Sequence, residues 1–263
     1  MLKSHSMHKL LTLLILILLI FTLRAESSYF AEYLISYPKS VGSGLQQPLK
    51  WQGEQWLLAS GIVLSIGALY VVGEEIQDFA QDNKSDLSQN IMQIGKQFGE
   101  GKYVLPAIGT SILGGYIAGS EKTMDTGLLC LKSFVLSQGV TQSLKLVTQR
   151  YRPSAGRGKE LFNGNGISRK RDSFPSGHST IAWSIAPILA EQYQQQRWVA
   201  PVAYGVAGLC SISRVHDNNH WSSDVLTGAL IGYFAAKLVL NSTPRLELSP
   251  LANAEGLGFR FYF

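Results

Sequence analysis

The sequence predicts an all-α protein: a bundle of about six helices with a short strand-like C-terminal tail. Two observations carry that prediction. Apolar stretches at 56–72, 103–118, 127–147, 179–190, 198–212 and 224–240 are each of helical length, and turns, charges or prolines separate them. No sustained period-two alternation appears among them, as half-buried strands would require. The chain of 263 residues suffices for one substantial domain with appendages.

Taken in order, residues 1–25 read as an export signal or an uncleaved anchor. Lys3 and Lys9 give a positive start, 10–21 is apolar except for Thr12, and Leu23 and Ala25 suit a cleavage site before Glu26. The apolar run is short for a membrane span of about 20 residues. Either reading places the rest of the chain outside the cytoplasm. Residues 26–124 form the N-terminal helical part of the bundle and 125–240 its core. Cys130 and Cys210 lie in apolar helical runs and read as buried free thiols. In the tail, 241–263, Leu257, Phe259, Phe261 and Phe263 alternate with Gly258, Arg260 and Tyr262, which predicts a strand or short hairpin.

The formal charge of +5 is inflated by the N-terminus; beyond residue 25, twenty basic residues face eighteen acidic ones. A nucleic-acid binder would carry a stronger and more extended basic stripe, so that class is disfavoured. The mean hydropathy of +0.09 favours a water-soluble or membrane-apposed bundle over a polytopic one. From Arg150 to Phe174 the pattern breaks into a glycine-containing, basic loop, read as solvated or as a lure for anionic substrates.

Three clusters carry the chemistry. In Lys145-x6-Arg152-Pro153 the cations stand about two helical turns apart, so both face one way before the proline ends the helix. Lys145 interrupts an apolar face, where a cation needs a partner or an anionic ligand. In Pro175-Ser176-Gly177-His178 a Ser-Gly turn opens a helix whose first amides are a ready anion site. Ser176 adds a hydroxyl, Gly177 allows close backbone approach, and His178 suits a general acid. In Ser213-Arg214-x5-His220-x3-Asp224, His220 and Asp224 stand four apart on one predicted helix face. A carboxylate on one imidazole nitrogen would free the other as a nucleophile, and Arg214 would grip phosphate oxygens with its fork. His216 falls outside these positions and reads as loop or rim. Each cluster alone also has an ordinary structural reading: a snorkelling lysine, a serine cap, a His–Asp pair at a helix start.

In this order the three clusters resemble the signature of the type 2 phosphatidic acid phosphatase (PAP2) superfamily. That family includes bacterial non-specific acid phosphatases, lipid phosphate phosphatases and vanadium haloperoxidases. The resemblance spans about residues 125–240, with every signature position filled. It implies a helical-bundle core and hydrolysis without metal or cofactor through a phosphohistidine. His220 then resembles the nucleophile, Asp224 its orienting partner and His178 the acid. Lys145, Arg152, Ser176, Gly177 and Arg214 resemble the phosphate-binding set. The substrate class implied is a phosphorylated small molecule or a lipid phosphate, such as a polyprenyl diphosphate, with membrane association possible. A vanadium-dependent haloperoxidase and a non-catalytic membrane-interaction protein stand as alternatives.

Overall fold

A computed structural model describes residues 27–162, 171–243, 246–249 and 258–261. The export signal or anchor expected over 1–25, and Arg169 and Lys170 of the basic loop, lie outside the described residues. Among the described residues nine α-helices follow one another: α1 Ser27–Gln46, α2 Gly53–Val71, α3 Gly73–Asp82, α4 Asp86–Gln97, α5 Gly101–Ile117, α6 Glu121–Thr148, α7 Gly177–Gln192, α8 Val199–His216 and α9 Ser222–Ser242. The six apolar stretches became α2 and α5–α9. The three additional helices have polar or mixed sequences. α3 (GEEIQDFAQD) and α4 (DLSQNIMQIGKQ) are amphipathic, and a search for apolar runs passes over them. α4 starts where a capping rule says it should: Ser85 Oγ accepts from Ser88 N, and the Ser88 hydroxyl accepts from Ser85 N.

The tail forms the strand-like element expected. β1 Leu246–Ser249 pairs antiparallel with β2 Gly258–Phe261, Leu246 opposite Phe261 and Ser249 opposite Gly258.

The core lies between α1, α5, α6, α7 and α9, with Ile108, Leu129, Ile181, Ile188, Ala236 and Val239 buried. Each such Ile, Leu or Val contributes about 1.5–3 kcal/mol by leaving water. At about 42 Å, the 28 residues of α6 make it the central pillar. One face of α6 is polar and fully enclosed: Ser133, Ser137 and Thr141, one turn apart, lead to Lys145 near its C-terminus. α7 and α9 cross almost backbone to backbone. A Cβ on Gly232 would lie 2.7 Å from Ser184 N and 2.9 Å from the carbonyl carbon of Trp183. That approach seats the start of α9 on the start of α7, where the Ser176 amide donates to the Asp224 carbonyl at 3.0 Å.

α2 departs from the water-soluble bundle. None of its residues is buried; Trp56, Leu57, Leu58, Val63, Leu64 and Val71 are all exposed. α2 and α9 are each long and apolar enough to cross a membrane. α2 is fastened to the rest at its C-terminal end. Leu69 O accepts from Ser222 Oγ at 3.0 Å and Val71 O from Lys159 Nζ at 2.5 Å, while Tyr70 lies against Arg150.

Candidate active site

The structure brings all eight sequence-predicted site residues to one end of the bundle. Lys145 comes from the last turn of α6, Arg152 from the segment after it, Ser176 to His178 from the start of α7, and Arg214 from the last turn of α8. His220 sits in the tight connection before α9, and Asp224 in the first turn of α9.

The Arg214-x5-His220 spacing has a local cause. α8 ends at His216, Asn218 takes a left-handed conformation (φ 59°), and the chain turns back so that the Asn219 and His220 amides both donate to the Arg214 carbonyl, at 3.1 and 3.2 Å. A residue on α3 holds this turn from outside: Gln77 Nε2 donates to Asn218 Oδ1 at 2.8 Å and to Val215 O at 3.1 Å. Lys145 and the α7 turn are brought together as well. A Cβ on Gly177 would sit 3.9 Å from Lys145 Cε. The Gly177 and His178 amides fall in the first turn, where a helix supplies no acceptor of its own.

The three cations are held by oxygen acceptors at their edges. Lys145 Nζ donates to the Asp172 carbonyl. Arg152 Nε donates to Asp172 Oδ1 at 2.7 Å and its Nη1 to Asn219 Oδ1 at 2.8 Å. Arg214 Nη1 donates to Asp217 Oδ2 at 3.2 Å, while its buried Nε has no hydrogen-bond partner among the described residues. Burial pushes the Lys145 ammonium down to about 8, with Asp172 opposing that and Arg152 adding to it.

Both histidines lie in the field of this cage. His220 is 2% exposed, and burial, then Lys145, Arg152 and Arg214, hold its imidazolium well below the usual range. His178 is pushed down to about 4 by burial first, then by Arg214, Arg152 and Lys145, with Glu100 opposing. Each imidazole is therefore neutral near pH 7. His220 Nδ1 lies 2.6 Å from the Ser173 carbonyl oxygen. A carbonyl only accepts, so Nδ1 carries the proton and the Nε2 lone pair is free.

This last contact corrects one expectation. Asp224 does not bond the imidazole directly, because its oxygens are engaged elsewhere. Oδ1 accepts from Arg150 Nη1 at 2.5 Å; Oδ2 accepts from Ser173 Oγ at 2.6 Å and from the Trp221 amide at 3.0 Å. Ser173 stands between the carboxylate and the histidine. Two further expectations change. Arg150, read as a loop cation, is 1% exposed. His216, read as loop or rim, ends α8 in a buried position, its Nε2 3.0 Å from Ser88 Oγ. Ser173, Asp172 and Asn219 gave no signal in the sequence, since each contributes through tertiary placement. Cys130 and Cys210 are buried free thiols. Among the described residues no group of three His, Cys, Asp or Glu is placed to hold a metal ion.

Fold and site together define an all-α protein with a largely enclosed cationic cage flanked by two neutral histidines. Residues 126–247 match the family model of the PAP2 superfamily. It is 38% identical over 68 residues to a lipid A 1-phosphatase of Porphyromonas gingivalis, a stretch amounting to 26% of this chain and 15% of that protein. The chain thus matches well under two thirds of that relative's length. Among solved structures, LpxE of Aquifex aeolicus is similar in fold, with a TM-score of 0.51 and 22% identity over 65% of this chain and 95% of that one. The transmembrane PAP2-type phosphatidylglycerolphosphate phosphatase of Bacillus subtilis has a TM-score of 0.54 and 26% identity over 69% of this chain and 94% of its own.

Proposed function

We propose that this protein is an exported, membrane-associated phosphatase that releases phosphate from a lipid phosphate through a phosphohistidine on His220. The observation that carries the proposal is the convergence of Lys145, Arg152 and Arg214 on two neutral histidines, one with its Nδ1 engaged and its Nε2 free. A phosphoryl group asks chiefly for positioning and for countercharge on its equatorial oxygens. The three side-chain cations, Arg214 Nε and the first amides of α7 supply both.

In the first step His220 Nε2 attacks phosphorus, the phosphorus–oxygen ester bond breaks, and His178, which takes up a proton as the substrate phosphate offsets the cations around it, gives that proton to the leaving oxygen. Water then attacks the phosphohistidine and passes a proton to His178, the phosphorus–nitrogen bond breaks, and inorganic phosphate departs. His178 ends the cycle as the acid it began as. Ser176 and Gly177 line the phosphate at the helix start.

The lipid half of the proposal rests on α2. We assign α2 alone to the bilayer, because it is apolar on every side and unburied. Trp51 and Trp56 pack edge to face at 5.0 Å at its N-terminal end, where indoles suit a membrane–water boundary. Its C-terminal end touches Arg150 and Ser222 beside the cage, about 28 Å away along the helix axis. A helix so attached would hold the cage at the other boundary of the bilayer, level with lipid headgroups. The relatives' names, lipid A 1-phosphatase and phosphatidylglycerolphosphate phosphatase, fit the same substrate class.

The test is phosphate release by the purified chain in detergent, from a short-chain phosphatidic acid and from an aryl phosphate. The His220→Ala variant is expected to lose at least about 10³-fold in kcat. Quenching wild type with radiolabelled substrate should trap acid-labile label on the protein. Undiminished turnover by His220→Ala would sink the mechanism. Equal kcat/KM for the two substrates would sink the lipid assignment.

A further inference from the structure

We propose that Arg150 is a positioning residue for His220, acting through a chain of contacts that runs Arg150–Asp224–Ser173–His220. The inference rests on the phosphatase reading above and deepens it.

The geometry of Arg150 is specialised for holding something still. Its guanidinium carbon lies 4.9 Å from the Tyr70 ring centre, 5.1 Å from that of Phe162 and 5.7 Å from that of Trp221. Three rings around one planar cation fix its position by cation–π attraction and exclude water. From there Nε donates to Lys159 O at 3.0 Å, and Nη1 donates to Ser223 Oγ at 3.0 Å and to Asp224 Oδ1 at 2.5 Å. Both members of the ion pair are enclosed, with side chains 1% and 0% exposed. Burial raises the Asp224 carboxyl, and Arg150 is the foremost group opposing that, favouring the charged form.

The charged carboxylate in turn holds Ser173. Asp224 Oδ2 accepts from Ser173 Oγ at 2.6 Å, and Ser173 N donates to the Arg150 carbonyl at 3.1 Å. Arg150 therefore pins Ser173 twice, by its own backbone and by the carboxylate it neutralises. What remains free on Ser173 is its carbonyl, and that carbonyl lies 2.6 Å from His220 Nδ1. The residue that sets the tautomer of the nucleophile thus contributes a backbone atom, and two side chains remote from phosphate keep that atom in place. Arg150 differs from the cage cations in this respect. The field on His220 comes from Lys145, Arg152 and Arg214, whereas the side-chain hydrogen bonds of Arg150 go to Lys159 O, Ser223 Oγ and Asp224 Oδ1 and to none of the phosphate-binding residues. Lysine would supply the charge without the planar face or the fork.

The full chain in detergent tests this through Arg150→Lys, Ser173→Ala and the double variant. The assays use an aryl phosphate as substrate, inorganic phosphate as the binding probe and the ring ¹⁵N spectrum of His220. Each single variant is expected to lower kcat about 10- to 100-fold while KM and phosphate affinity stay within about twofold. The double variant should be no slower than the worse single one, because one chain is broken once. The wild-type spectrum should show a single Nδ1–H tautomer, and the variants a mixture. Wild-type kcat in either single variant, multiplying losses in the double, or a raised KM at constant kcat overturns the proposal. Should Arg150→Lys fail to fold, Ser173→Ala, which removes one hydroxyl and no charge, decides alone. If the wild type releases no phosphate the phosphatase reading falls, and the tautomer spectra still judge the chain: a single unchanged tautomer in Ser173→Ala refutes it.

Discussion

The cage end of the bundle and helix α2 are built on opposite plans. Around the cage, Lys145, Arg150, Arg214, His220 and Asp224 are enclosed, each at 9% exposure or less. Along α2, none of nineteen mostly apolar residues is buried by the described residues. Either arrangement alone would be costly in water, since buried charges lose hydration and exposed leucines order it. Together they describe a molecule completed by what it binds. On the proposed reading an anion neutralises the inside at one end, and lipid covers the outside along one helix. The contact between Tyr70 at the end of α2 and Arg150 beside the cage joins the two regions.

The largest effect that would sharpen this contrast lies at the cage. His178→Ala is expected to lower kcat about 10²- to 10⁴-fold on an alkyl phosphate. With an aryl phosphate, whose leaving group needs little protonation, the loss should shrink toward tenfold or less. Steady-state kinetics on the two esters checks this, and equal losses would remove His178 from the leaving-group side. The next effect lies on α2. Leu64, 72% exposed, stands near the middle of the helix. Leu64→Arg should weaken membrane insertion by about 2.5–3.5 kcal/mol. Fractionated membranes should then release the variant, while its kcat on a soluble aryl phosphate stays at the wild-type value. Retention of Leu64→Arg in membranes would mean that α2 is covered by protein instead.

A smaller effect tests how closely the two site helices must approach. Gly232→Ala places a methyl against Ser184 N and Trp183, and one extra carbon in such a contact costs about 1–3 kcal/mol. Thermal unfolding should show that loss, whereas Gly139→Ala on α6, where a Cβ meets nothing within 4 Å, should not.

What the sequence disclosed divides along the same line. The side chains proposed to touch phosphate were legible, because a cation in an apolar run or a histidine beside a helix start stands out locally. The groups that position them were not. Ser173 contributes a carbonyl, which every residue has, and Arg150 looks like any loop arginine until three rings from α2, the loop and the start of α9 close around it. The helical class was legible from apolar runs, yet α3 and α4 were not, because their apolar residues are spaced around a polar majority. The exposure of α2 was hidden by averaging. The hydropathy of one unburied helix was diluted by the serines, threonine and lysine enclosed along α6.

The smallest effect expected is also the most direct test that the cage fills with negative charge. In the free protein burial and the three cations lower His178 from its ordinary 6.5 to about 4. A group lowered on folding contributes stability that is complete above 6.5 and is lost as pH falls toward 4, because the unfolded chain binds the proton first. A bound phosphate monoanion, the form present in this acid range, opposes the field. It offsets Arg214, Arg152 and Lys145 at the imidazole, so His178 should rise by at least about one unit, and binding of the monoanion should take up a proton in the interval between the two values. Proton NMR of His178 with and without inorganic phosphate measures the shift, and calorimetry in buffers of different ionisation enthalpy measures the uptake. The same coupling predicts that phosphate affinity weakens as pH rises through the raised value, and that acid unfolding moves to lower pH when phosphate is present. An identical His178 titration in both states would mean that the anion binds away from the three cations.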